Sequence, residues 1–280
     1  MDKNKSYNKI LDVRELAKSI KMMVVDAPEV AAYAKAGQFV ILISDEEGER
    51  IPLTIGDFDA KKGTITLVFQ EVGKSTIELG TKKAGDSIAH LNGPLGHASD
   101  IKNYGTVVVI GGGVGIAPIF PITRALHEAG NHMISIIGSK SKEFLFWSEK
   151  MKPLSHEFYI TTDDGTLGIK GFVTTPFVEF LKDKKIDRVV AIGPIPMMKS
   201  VTKVTKENNI PCIVSLNSLM VCGMGMCGAC RCKVDNQSRF TCFQGPEFDG
   251  NTVDFVELSS RLSMYNQEEK LALDSYKEKK

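Results

Sequence analysis

Five of the six cysteines lie between positions 222 and 242, spaced Cys222-x4-Cys227-x2-Cys230-x11-Cys242, with Cys232 just past the third. The first three match the C-x4-C-x2-C loop that holds a plant-type [2Fe-2S] cluster. The intervening Gly223, Gly225, Gly228 and Ala229 are small, so backbone amides can turn toward sulfur and stabilise a reduced cluster. Structural zinc also takes four thiolates, but its sites more often pair two C-x2-C knuckles, and only one knuckle is present here. The predicted metal ligands are therefore Cys222, Cys227, Cys230 and Cys242, while Cys232 and Cys212 read as small buried thiols.

A second run, VVVIGGGVGIAP at residues 107–118, sets Gly111, Gly112, Gly113, Val114 and Gly115 between an apolar strand and a helix. Helix N–H groups there are unpaired and carry the positive end of the dipole, and the lack of side chains lets a pyrophosphate come close. The spacing G-G-G-V-G departs from G-x-G-x-x-G, so a tight turn that needs glycine only for packing is the alternative. Thr162-Asp163-Asp164-Gly165 and Gly193-Pro194-Ile195-Pro196-Met197-Met198 each follow a predicted strand. Strand C-termini of one parallel sheet share a crevice, which makes these loops partners of the glycine turn in a dinucleotide site. Earlier in the chain, Arg50-Ile51-Pro52-Leu53-Thr54-Ile55 sets a hydroxyl and an apolar step at a strand end. Gly73-Lys74-Ser75-Thr76 offers a helix start with hydroxyls and a cation, an anion-binding arrangement. On chemistry alone, either segment is also a plain turn or cap.

The elements that must position these residues follow from length and pattern. At 280 residues the chain is about twice the usual domain size, so two cores are expected. Hydrophobic residues at 42% and charged residues at 25% are ordinary for a globular protein and argue against a disordered or membrane-embedded chain. Thirty-five basic against 34 acidic residues give a net charge of +1, so neither nucleic acid nor a membrane surface is an expected partner. The longest apolar stretch, residues 107–122, holds four glycines and two prolines, and the N-terminal MDKNKSYNK has no signal-peptide core; the expected compartment is the cytoplasm. Residues 1–100 read as a small antiparallel β domain, with short β-branched runs at 38–43 and 64–69 and few helix signals beyond 74–79. From residue 106 the pattern becomes strand, glycine turn, helix. Strands are predicted at 106–110, 132–137, 157–161, 188–192 and 212–215, and helices at 117–129, 172–182 and 197–207, the alternation of a doubly wound parallel sheet over 101–216. Residues 217–250 form the cluster subdomain, and 251–280 a polar, amphipathic helical tail.

With these parts in order, the chain resembles the ferredoxin-NADP reductase superfamily over residues 5–250. More narrowly it is similar to the branch that holds the iron–sulfur electron-transfer subunit of dihydroorotate dehydrogenase and the small subunit of the NADH-dependent reduced ferredoxin:NADP oxidoreductase. The resemblance implies an N-terminal FAD-binding β-barrel, NAD(H) on the α/β domain and a [2Fe-2S] cluster near the C-terminus. It carries FAD onto Arg50, Pro52, Leu53, Thr54, Ile55 and the 73–76 segment, with Thr54 near flavin N5. The wider superfamily has an arginine three residues before that hydroxyl; here that position is Ile51, and Arg50 is one further back. Some transhydrogenase small subunits have aspartate as first cluster ligand, where this chain has Val221-Cys222-Gly223, so an all-thiolate cluster is expected. The tail, from Gly245-Pro246-Glu247-Phe248-Asp249-Gly250 through Arg261-Leu262-Ser263-Met264-Tyr265, resembles the transhydrogenase subunit rather than the dihydroorotate type.

The resemblance further implies an oxidoreductase in which hydride passes between NAD(H) and FAD, and single electrons pass through the cluster to a larger flavoprotein with [4Fe-4S] clusters that binds NADP(H) and ferredoxin. The tail helix is the candidate docking element. Alternatives are the dihydroorotate dehydrogenase subunit and, from a different class, a zinc-binding nucleotide sensor without turnover. Beyond the second strand of the sheet, Lys140 and Lys142 could meet a 2′-phosphate and Glu143 a ribose hydroxyl, which leaves NADP(H) open beside NAD(H). His90 and His97 read as surface or packing histidines.

Overall fold

The computed structural model describes residues 8–278. Positions 1–7 of the N-terminal run discussed above, and positions 279 and 280 of the tail, lie outside the described residues.

The N-terminal part contains β1 (Ile10–Ala17), β2 (Ile20–Asp26), α1 (Pro28–Tyr33), β3 (Phe39–Ile43), β4 (Arg50–Asp59), β5 (Thr64–Gln70), α2 (Lys74–Leu79) and β6 (His90–Leu95). The strands pair antiparallel in the order β1-β2-β5-β4-β3-β6. Alternate residues of each strand fill one interior, with Met23, Val40, Leu42, Ile55, Leu67 and Phe69 fully buried, as a half-buried sheet requires. Helix α1 was not foreseen. At six residues it is too short for a helical period to show, and its signal is the proline at its first turn.

The second part contains β7 (Thr106–Gly112), α3 (Ile116–Glu128), β8 (His132–Ser139), α4 (Ser148–Met151), β9 (Glu157–Thr162), β10 (Ile169–Lys170), α5 (Thr174–Phe180), β11 (Arg188–Ile192), α6 (Ile195–Glu207) and β12 (Cys212–Ser215). The last stretch adds β13 (Arg231–Val234), β14 (Gln237–Phe240), α7 (Thr241–Gln244), β15 (Glu247–Asp249), α8 (Phe255–Leu262) and α9 (Asn266–Glu278). The second sheet runs β10-β9-β8-β7-β11-β12-β15 and is parallel except for β15, which pairs antiparallel with β12. Strand β7 is covered on both faces, which is why Val107, Val108, Val109 and Ile110 form an unbroken apolar run. The chain order reverses between β7 and β11, so the loops that leave these two strands border the switch-point crevice. Strands β13 and β14 form a hairpin turned at Asp235-Asn236, both with positive φ, as a two-residue primed turn demands.

Two expectations about the C-terminus change. The tail is two helices broken at residues 263–265, not one, and α8 buries Phe255 and Leu258 in the core of the α/β sheet. Strand β15 likewise carries residues just past the last cysteine back onto that sheet. Helix α9 is largely exposed and touches α2 of the first domain.

The two domains share a core. Ile20, Met22 and Val68 of the antiparallel sheet pack in one cluster with Ile116, Ala117, Phe120 and Trp147. Arg124 of α3 donates from Nη1 to Asp57 Oδ1 of β4 at 2.8 Å and stacks over Phe58 and Phe120. Apolar area plus a half-buried, stacked ion pair holds β4 against α3.

Candidate functional site

The glycine turn differs from residue to residue. A Cβ on Gly115 would lie 2.3 Å from the backbone oxygen of Ile192, and one on Gly112 would lie 2.3 Å from Met197 Sδ. These positions need glycine because β7, β11 and α6 pack too closely for a side chain. Gly113 is different: it has φ +54° and nothing within 4 Å of its Cβ position. That open left-handed residue, followed by the uncapped start of α3, is a cradle suited to a dinucleotide pyrophosphate. The Gly193 turn meets it directly, since a Cβ there would stand 3.1 Å from Gly112 Cα. Pro194 caps α6, Pro196 lies in its first turn, and Met197 reaches back over both glycine turns.

Thr162 ends β9, and Asp163, Asp164 and Gly165 follow it on the same edge of the sheet. The Thr162 hydroxyl is used internally, donating to the Leu167 carbonyl at 2.8 Å. Asp164 accepts from the N–H and the hydroxyl of Thr166, and these bonds hold its carboxyl below the usual range. Thr161, which the sequence reading passed over, has a buried hydroxyl oxygen with no partner, next to Gly138. Glu143 pairs with Lys18 of the β1–β2 turn at 3.2 Å, with both side chains at the surface.

Thr54 lies on β4 in register with Phe39 of β3, and its hydroxyl has no partner among the described residues. Two residues on, the Cβ position of Gly56 is 3.4 Å from the Trp147 ring and 3.5 Å from Ala117, two residues after Gly115. Strand β4 therefore runs against the helix that starts at the glycine turn, while Ile55 turns into the core of the first domain. At the other segment Thr76 spends its hydroxyl on the turn, accepting from the Val72 and Gly73 N–H groups at 3.1 Å, while Ser75 donates to Glu49. Gly73 has open space at its Cβ position, so the start of α2 is accessible. An unpartnered hydroxyl on β4 and an open helix start on α2 are groups that suit an isoalloxazine edge and a pyrophosphate, and so fit FAD.

The cysteines pair two and two. Cys230 and Cys242 are buried with sulfurs 3.2 Å apart, whereas Cys227 is exposed and its N–H points at Cys222 Sγ at 3.4 Å. Gly225 donates its N–H to Cys242 Sγ at 3.2 Å. Burial alone would raise the Cys222 thiol, but the N–H groups of Met224, Cys227 and Met226 and the Cys227 side chain bring it down to about 6. Burial and the neighbouring Cys230 thiol push Cys242 the other way, up to about 12. Two thiol pairs with amides aimed at sulfur fit a [2Fe-2S] cluster, which takes two thiolates on each iron, better than one tetrahedral ion. Among the described residues no three His, Cys, Asp or Glu side chains meet closely enough to hold a single ion. Cys232 and Cys212 are buried away from the pairs, and Cys232 accepts from the Thr241 hydroxyl at 3.4 Å.

The loop bearing these cysteines is pressed onto the first domain. Cys230, Cys242 and Met220 form one apolar cluster with Phe39 and Ile41 of β3. Phe39 and Ile41 seat the cysteine loop, a packing role that sequence reasoning missed because only tertiary contact shows it.

An antiparallel flavin-type sheet, a switch-point dinucleotide crevice and a thiolate loop packed against the first domain define a ferredoxin-reductase-type oxidoreductase that uses FAD, NAD(H) and a [2Fe-2S] cluster. Comparison with known proteins agrees. The iron–sulfur cluster binding domain of dihydroorotate dehydrogenase B matches residues 217–254. An electron transfer subunit homolog of dihydroorotate dehydrogenase B (NAD(+)) from Thermotoga maritima is 42% identical over 97% of this chain and 96% of its own length. The electron transfer subunit from Bacillus pumilus is 33% identical over 89% of this chain and 98% of its own length. A chain in the solved structure of the NADH-dependent reduced ferredoxin-NADP oxidoreductase, described for flavin-based electron bifurcation, superposes with a TM-score of 0.92 at 41% identity, covering 98% of this chain and 99% of that one. The chain belongs to the family of dihydroorotate dehydrogenase B electron-transfer subunits and their homologues. No helix among the described residues is long and apolar enough to cross a membrane.

Proposed function

We propose that this chain takes hydride from NADH and delivers single electrons to a larger partner subunit, within a cytoplasmic complex that links NADH, ferredoxin and NADP(H). The observation that carries this reading is the continuity of the three sites: the glycine-turn helix lies against β4, β4 pairs with β3, and β3 packs on Cys230 and Cys242. When bound, FAD converts a two-electron hydride into single electrons that a [2Fe-2S] cluster can accept.

The chain's own residues bind and orient. Gly113 and the α3 N-terminus receive the NADH pyrophosphate, and the Thr162 to Gly165 and Gly193 to Met198 loops wall the crevice on either side. Thr54 offers its free hydroxyl at the reacting edge of the flavin, and residues 74–76, past the Gly73 N–H that Thr76 holds, present N–H groups to the FAD pyrophosphate. Val107, Ile110 and Ile116 keep water from beneath the crevice, and no side chain has to move a proton. Cys227, the exposed member of the thiolate set, marks where electrons leave.

The partner follows from the electron-transfer subunits that the chain is similar to. As in an electron-transfer subunit, electrons that reach the thiolate loop pass on to another protein. The partner is a larger flavoprotein with [4Fe-4S] clusters that binds NADP(H) and ferredoxin. The match to the dihydroorotate dehydrogenase domain over residues 217–254 favours a second reading, in which the partner oxidises dihydroorotate. The bifurcating-enzyme chain, with a TM-score of 0.92 over 98% of this one, supports the first, although the Thermotoga maritima homolog of the dihydroorotate dehydrogenase subunit matches over a similar 97%.

Affinity capture on the native complex tests both. The full chain is expected to retain an iron–sulfur flavoprotein that binds NADP(H), and a chain ending at Ser263 is expected to lose it with its FAD content unchanged. Capture of a dihydroorotate-oxidising flavoprotein establishes the second reading, and retention of the partner by the shortened chain refutes docking through α9.

A further inference from the structure

We infer that Arg50 is a positioning residue of the iron–sulfur loop, not a ligand of the FAD pyrophosphate. The inference rests on the reading of Cys222, Cys227, Cys230 and Cys242 as cluster ligands.

Arg50 opens β4, paired with Ile43 of β3, and its Nη1 donates to the backbone carbonyl of Val221 at 3.3 Å. Val221 immediately precedes Cys222. Among the described residues the guanidinium has no carboxylate partner, so this carbonyl is its anchoring contact. The residue before it is fixed in another direction, because the Glu49 carboxylate accepts from Ser75 at the start of α2. The Glu49-Arg50 step thus bridges the start of α2 on one side and the cysteine loop on the other.

The residue after Cys222 is held as well. Gly223 has φ +75°, and a Cβ there would stand 2.5 Å from Ile41 Cδ1 and 2.8 Å from Leu95 Cδ1. Cys222 is therefore gripped between a carbonyl pinned by β4 and a glycine pressed onto β3 and β6. Fixing both neighbours of a ligand fixes the ligand, and outer contacts of this kind set metal retention and potential. A guanidinium also keeps its charge at all accessible pH, and a positive charge beside an anionic cluster favours the added electron. A lysine at position 50 could supply the charge but not the fork geometry, so the two contributions can be separated.

The geometry also explains why the superfamily pattern does not transfer. The residue three before Thr54 is Ile51, whose side chain is buried and hydrophobic. Displacing the arginine by one position turns it to the other side of a strand, because successive side chains point to opposite faces.

The test uses the intact, cofactor-loaded chain and its Arg50→Ala and Arg50→Lys variants. Three quantities are read: FAD per chain, the rate at which a ferrous chelator strips iron, and the potential and EPR line shape of the reduced cluster. Arg50→Ala is expected to keep full FAD, lose iron roughly 10-fold faster and show a lower cluster potential with an altered line shape. Arg50→Lys is expected to restore most of the potential while iron loss stays faster than in the unsubstituted chain. Loss of FAD in either variant with iron retention and line shape unchanged overturns the inference, as does no change in any readout. If the unsubstituted chain carries no cluster, it is the underlying functional reading that fails.

Discussion

Glu247 sits where β15, the linker after β6 and the α/β domain meet, and accepts a 2.5 Å hydrogen bond from the Ser99 hydroxyl. Burial pushes its carboxyl up, against opposing contributions from Ser99 and the Arg188 charge. A carboxyl whose folded pKa exceeds its unfolded one stabilises the fold fully below the unfolded value, and that stability is lost as pH rises through the folded value. Glu247→Gln keeps the acceptor for Ser99 and removes the charge. The variant is expected to melt with the native chain near about pH 4 and at a higher temperature near about pH 8; an equal or lower melting temperature at the upper pH would show that the carboxylate is not desolvated there. Nothing in the sequence marks Glu247, nor the pairing of Lys18 with Glu143 or of Arg50 with Val221, because each joins residues more than a hundred positions apart. The four cysteines were legible because three of them lie within nine residues in a spacing that few other ligands need.

The parallel strands were legible because burial on both faces leaves a continuous β-branched run, and because glycine turns mark their ends. The six-residue α1, the three-residue β15 and the break between α8 and α9 were not, since none spans enough residues to carry a period. Within the glycine turn the sequence offered one reading for four glycines, and the structure separates them. Gly115→Ala forces a methyl against the Ile192 backbone oxygen and is expected to lower the melting temperature sharply. Gly113→Ala has room and costs only about 1–2 kcal/mol of left-handed strain. It puts a methyl into the open cradle, so its expected effect is roughly a 10-fold higher KM for NADH with the fold retained. Equal loss of stability in both variants would mean that the turn serves packing alone.

Across the whole molecule, the two-domain arithmetic identified both cores but not how they join. Arg124 and Asp57, the Trp147 wedge against Gly56, and the seating of the cysteine loop on β3 are long-range contacts invisible to any local pattern. Together they join the glycine-turn helix, β4 and the cysteine loop into one packed unit. Electrons are expected to pass through this unit from NADH to the cysteine loop, and anaerobic titration of the purified chain with NADH, followed by visible absorption and EPR on the same samples, checks that passage. The predicted result is bleaching of the flavin bands together with a [2Fe-2S] signal that grows in proportion to the NADH added. A colourless chain holding zinc, or flavin that bleaches while the cluster stays oxidised, would contradict the account.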